Sequence, residues 1–80
     1  MDYTVEVRVE LKHGVLDAEG ETVQKSLGLL GFNVDKVETV KVYKVMLKAD
    51  SEEKALKTMK QACEKLLANP VIQDYSVKVV

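Results

Sequence analysis

The chain has 80 residues, 12 Lys+Arg against 13 Asp+Glu, a formal net charge of −1 and 46% hydrophobic residues. This is the balance of one small globular domain over residues 1–80, which argues against a disordered chain and leaves no room for a second domain. Near-neutral charge without a basic block argues against non-specific binding to nucleic acid or to an anionic membrane, and no apolar run nears the ~18 residues that span a bilayer.

Residues 3–11 alternate. Tyr3, Val5, Val7, Val9 and Leu11 share one side, and Thr4, Glu6, Arg8, Glu10 and Lys12 the other. Period two with one dry face predicts a half-buried strand. Lys12, His13 and Gly14 break it, and Gly14 can turn the chain. Asp17 follows as a helix N-cap. Val23, Leu27 and Leu30 then recur at helical spacing, so a helix is expected over 18–30, with Gly31 at its left-handed end. Gly20 and Gly28 within it each cost up to ~1 kcal/mol, which points to close approach of another backbone.

Residues 32–49 carry two apolar phases. Val40 and Val42 have one parity; Tyr43, Val45, Leu47 and Ala49 have the other. No Gly, Pro or Asn marks a hairpin within 36–48, so a single long strand with a bulge or sharp twist is expected. Its far half needs a neighbour, and Val40, Val42, Tyr43, Val45 and Leu47 are the candidates for pairing with a second subunit. Asp50 or Ser51 caps a second helix, whose apolar stripe is Ala55, Leu56, Met59, Ala62, Cys63, Leu66 and Leu67. Asn69-Pro70 ends it. A last strand over 74–80 points Tyr75, Val77 and Val79 inward. The order predicts an α+β two-layer sandwich of ferredoxin-like type, an antiparallel sheet with two helices on one face and a long bent middle strand pairing between subunits.

A domain of this mass buries only a little over 60% of its extended surface. One cysteine forms no internal disulfide, so the core lacks a covalent staple, and self-association is the expected remedy. The lone thiol and an N-terminus without a basic start and greasy block place the chain in the cytoplasm.

No catalytic set is expected. Cys63 lies on the apolar helix stripe, where a free cysteine behaves as a small hydrophobe. His13 sits in a turn with no evident nucleophile to serve. One Cys and one His do not make a metal site. The glycines match no phosphate loop, and the wet strand faces carry no aromatics on which bases would stack. Lys41, Lys44 and Lys48 read equally well as an anion-attracting strip and as a solvated edge that discourages aggregation.

Nearly the whole length resembles the PurS family, the small subunits of phosphoribosylformylglycinamidine synthase. The similarity is carried by residues 5–20 (VEVRVELKHGVLDAEG), by Leu29-Leu30-Gly31-Phe32, and most specifically by residues 63–75 (CEKLLANPVIQDY). The family usually has Pro at the positions of His13 and Ala18, which leaves the turn looser here. The resemblance implies a subunit that self-associates as a homodimer or homotetramer, binds no cofactor itself and bridges a large synthetase subunit, which holds ATP and Mg²⁺, and a glutaminase subunit that releases ammonia. Candidate partner contacts are Lys12, His13, Gly14, Val15 and Leu16 in one turn and Asn69, Pro70 and Val71 in another. A regulatory domain of the ACT type, whose dimers bind amino acids, is the alternative. An acylphosphatase-like hydrolase is disfavoured because the only arginine, Arg8, falls mid-strand at outward parity.

Overall fold

A computed structural model describes residues 1–80. The elements are β1 (Asp2–Leu11), α1 (Ala18–Leu29), β2 (Val40–Lys48), α2 (Glu52–Ala62), a π-helical turn (Cys63–Leu67) and β3 (Gln73–Val79). The fold is α+β, with an antiparallel sheet in the order β2-β1-β3. Strand β1, with Val at every second position, takes the centre. Its inner face, Val5, Val7 and Val9, is sealed against Ala55, Met59 and Cys63 of α2 and its π-helical turn, with Ala68 closing the cluster. A fully buried valine contributes about 1.5–3 kcal/mol, so this strip is the chief stabilising feature of the chain.

The middle strand differs from expectation. It starts at Val40, is shorter than β1, and has no bulge: its register on β1 runs unbroken from Asp2 opposite Lys48 to Glu10 opposite Val40. All of β2 is therefore accompanied by β1 within the chain, and only its outer edge is free. The two apolar phases have a simpler origin. Tyr43, Val45 and Leu47 lie on the inner face, whereas Val42, opposite Arg8, and Val40, opposite Glu10, lie on the outer face.

Ser51 caps α2, its hydroxyl oxygen accepting from the Lys54 N–H, while Asp50 forms an ion pair with the Lys54 ammonium at 3.1 Å. The predicted stripe of α2 holds through Cys63 and then fails at Leu66, which is 83% exposed. The π-helical turn has more residues per turn than an α-helix, so the inward phase slips past Leu66 to Leu67 and Ala68.

The helices differ in their attachment. α2 lies over β1 and β3, but α1 makes no comparable contact with any strand or with α2. The chain measures 51 × 25 × 15 Å with a radius of gyration of 16.0 Å, where about 12 Å suits a compact chain of this length. Its accessible surface is 6166 Å², against about 4,800 Å² for a compact monomer of this mass.

Candidate functional site

The turn after β1 and the turn before β3 meet at one end of the sheet. They are adjacent because Leu11 and Gln73 are the last paired residues of β1 and β3. Beyond that pair the Lys12 N–H donates to the Ile72 carbonyl at 2.8 Å, tying one turn to the other. Gly14, at φ +87°, reverses the chain in a conformation that L side chains avoid, and the Val15 N–H closes the turn on the Lys12 carbonyl.

Asn69 organises the second turn. Its side-chain oxygen accepts from the Val71 N–H at 3.0 Å, and its carbonyl accepts from the Ile72 and Gln73 amides at 3.1 and 2.7 Å. Its own N–H donates to the Gln73 side chain. Pro70 has no N–H to satisfy, and its fixed φ suits the turn. The result is a rigid corner that presents Val71, 80% exposed, and Leu16, 69% exposed. Apolar side chains held out by satisfied backbone are what a protein–protein contact requires.

A cleft of about 720 Å³ opens beside this corner, with Lys12, His13, Leu16, Lys36, Glu38 and Asp74 among its walls. Residues 12–16 line it; Asn69, Pro70 and Val71 do not. Its far wall is 36–40, of which the sequence singles out only Val40, as a strand candidate. The only signal there is a Lys-Val-Glu triplet, whose Lys36 and Glu38 form an ion pair at 2.9 Å; the carboxylate holds Lys36 above the usual lysine range.

Asp17 joins the cleft to α1. One carboxylate oxygen accepts from the Gly20 N–H at 2.8 Å, the N-cap expected from sequence, and the other accepts from the Thr39 N–H at 2.6 Å. These two backbone donors hold its carboxyl below the usual range. Gly20 has the close backbone neighbour its position predicted: a Cβ there would sit 2.5 Å from the Val37 carbonyl oxygen. Gly28 has none, since a Cβ there would meet nothing within 4 Å, so that part of the expectation fails within this chain.

Cys63 is buried, and desolvation pushes its thiol above the ordinary value. His13 is exposed on the Gly14 turn, on a different element. No group of three or more His, Cys, Asp or Glu residues is placed to hold a metal ion, and no helix is long and apolar enough to cross a membrane. The five β2 candidates occupy an edge strand: Tyr43, Val45 and Leu47 inward, Val40 and Val42 outward.

Residues 4–80 match the model of a protein family described as PurS, phosphoribosylformylglycinamidine (FGAM) synthase. Among curated relatives, the phosphoribosylformylglycinamidine synthase subunit PurS of Archaeoglobus fulgidus is 55% identical over 73 residues, covering 90% of this chain and 91% of that one. The crystal structure of Methanocaldococcus jannaschii PurS, described as one of the subunits of formylglycinamide ribonucleotide amidotransferase, superposes with a TM-score of 0.87 at 46% identity, covering 98% of this chain and 95% of that one. A chain in the structure of PurLQS from Thermotoga maritima gives a TM-score of 0.90 at 32% identity, covering 100% of this chain and 99% of its own length.

Proposed function

The chain belongs to the PurS family of phosphoribosylformylglycinamidine synthase subunits, and from that premise we propose its part in the synthase: an assembly subunit, without an active site of its own, that bridges the synthetase and glutaminase subunits in de novo purine biosynthesis. The observation that carries this reading is the rigid corner. Two turns from opposite ends of the sequence are bonded together, and each projects a large apolar side chain, Leu16 and Val71, that has no role in the core. The family matched over residues 4–80 is a synthase-subunit family, which favours this reading over an amino-acid-binding regulatory domain.

Bridging has a chemical purpose. The reaction joins ammonia, released from glutamine, to an amide carbon activated with ATP. Ammonia in neutral water is mostly ammonium, which is not nucleophilic, and free ammonia escapes by diffusion. Fixing the two active sites relative to one another raises the local ammonia concentration and shortens its path. A shaped connector does this without reacting groups. ATP and Mg²⁺ belong to the large synthetase subunit, which agrees with a chain whose single Cys and single His lie on separate elements. Within the complex, copies of this chain associate as a homodimer or homotetramer that engages β2, whose outer edge has no neighbour. The complex works in the cytoplasm.

The test is reconstitution. Glutamine-dependent synthase turnover is measured with the large synthetase and glutaminase subunits, with and without this chain. The expected result is coupled turnover only when the chain is present, and neither ATPase nor glutaminase activity from the chain alone. Full glutamine-dependent turnover in its absence would overturn the proposal.

A further inference from the structure

We propose that the cleft beside the corner is the seat of an arginine-bearing segment of a partner subunit of the synthase. The inference rests on the assembly role proposed above and deepens it by assigning the cleft, which that role leaves without a task.

The cleft lies between two bodies. One is the end of the sheet. The other is α1 with residues 35–39, which return along it. Three contacts bind this return segment to the helix: the Thr39 N–H on Asp17 Oδ2, Gly20 packed on the Val37 carbonyl, and Gln24 Nε2 donating to the Asp35 carbonyl at 3.3 Å. α1 makes no comparable contact with a strand, so the space between the bodies stays open. At about 720 Å³ it has the size of a ligand pocket and far exceeds what a bare ion needs. Asp17, Glu21 and Gln24 line it. The apolar side of α1, at Val23, Leu27 and Leu30, lies about a third of a turn away around the helix. Whatever covers that apolar side therefore leaves the cleft free.

Both walls are net negative. On the sheet side Glu10 and Asp74 outnumber Lys12, and on the helix side Asp17, Glu21 and Glu38 outnumber Lys36. A cleft of one sign concentrates the opposite charge. The sheet side also carries a cost to the fold. Glu10 and Asp74 stand directly opposite one another on β1 and β3, and like charges opposed across a strand pair are destabilising. Arg8 reaches Glu10 at 3.8 Å, with both side chains about half exposed, while Asp74 and, across the cleft, Glu21 are in no ion pair. Two carboxylates held together against their repulsion call for a cation from elsewhere. A metal ion does not fit, since no three His, Cys, Asp or Glu residues are placed to hold one. A guanidinium does. Its planar fork donates to two carboxylates at once, and its aliphatic stem lies along an apolar wall, here Leu16, 69% exposed. Leu16 also belongs to the corner, so one docked segment engages both.

The double variant Glu10→Gln/Asp74→Asn is compared with wild type by two readouts. With the repulsion removed, its melting temperature should be equal or higher. In calorimetric titration it should bind one of the two partner subunits at least about tenfold more weakly, and the difference should shrink at high salt. A purely structural role moves both readouts in the same direction. Separately, the isolated wild-type chain is titrated with acetylated tri-arginine amide and followed by amide NMR. Shifts are expected at residues 10–16, 36–39 and Asp74, and none there with tri-glutamate. Three results each overturn the inference: a variant that binds both subunits as tightly as wild type, tri-arginine shifts no larger at the cleft than at Glu52 and Glu53 on α2, or spermidine shifting the cleft as strongly as tri-arginine. If the variant binds normally while turnover still requires the chain, the cleft assignment falls and the synthase role stands. If wild type binds neither subunit, both fall.

Discussion

Asp17 and Thr39, 22 positions apart, are joined by a single hydrogen bond of 2.6 Å from the Thr39 amide to Asp17 Oδ2, while the other oxygen of the same carboxylate caps α1. One side chain thus sets where the helix starts and where β2 begins. Asp17→Asn retains one carbonyl oxygen for the cap but offers an NH₂ where Thr39 needs an acceptor. Hydrogen exchange at the Thr39 amide should accelerate more than at Gly20, and the melting temperature should fall. Unchanged exchange at Thr39 counts against the clamp.

The same contact sets a pH dependence. The folded carboxyl of Asp17 is depressed below its ordinary value of 3.8 by the Thr39 and Gly20 amides. A depressed acid contributes stability that is fully present above the unfolded pKa and is lost as pH falls through the folded one. Thermal melts should therefore show an Asp17-dependent loss only below about pH 4, with that component missing in Asp17→Asn. A loss centred near neutrality points to another group.

Gly20 and Gly28 give an opposed pair. Both sit in α1, where alanine is the better helix former by up to ~1 kcal/mol. Gly28→Ala places its methyl in open space and should stabilise the chain by about that amount. Gly20→Ala drives a methyl into the Val37 carbonyl and the Asp17 carboxylate, and should lower the melting temperature. Equal effects at the two sites argue against the packed return segment.

Cys63 serves as a built-in reporter. Its thiol is buried and its pKa is raised, chiefly by desolvation and further by Glu64, so the reactive thiolate is scarce in the folded state. Alkylation should be slow in native buffer and fast in denaturant. Next to it, Tyr75 donates its hydroxyl to Glu64, and that hydrogen bond raises the phenol pKa. Glu64→Gln should bring the Tyr75 transition to lower pH in a spectrophotometric titration. The link favours the fold below the ordinary phenol value and fades as pH rises through the folded one.

Leu16→Asp and Val71→Asp test the corner. Neither side chain is in the core, so the circular dichroism spectrum and melting temperature should stay near those of wild type. Co-elution with the synthetase and glutaminase subunits should be lost. Retained co-elution with both changes present rejects the corner as a contact.

The strands β1 and β3 were legible because period-two alternation is a direct imprint of a half-buried sheet, and α1 was legible at both ends through Asp17 and Gly31. Three features were not. The β2 phase switch read as a bulge because Val40 and Val42 are apolar on an outer face that is otherwise mostly polar, and parity alone does not separate those cases. Leu66 read as core because nothing in residues 63–67 announces a π-helical turn. Val23, Leu27 and Leu30 marked an apolar helix side correctly, but helical spacing says nothing about whose surface covers it. The corner residues were found through the family resemblance; the opposite cleft wall at Lys36 and Glu38 belongs to an irregular segment with no periodicity to read.

The sheet order also bears on biosynthesis. β1 is central, yet one of its two neighbours, β3, lies at the far end of the chain. On a ribosome, Val5, Val7 and Val9 emerge early and must wait for Tyr75, Val77 and Val79 before their second flank closes. Such distant pairing carries a loop-closure penalty that slows folding. During that interval the nascent polypeptide displays a sticky valine ladder, a natural target for chaperone capture.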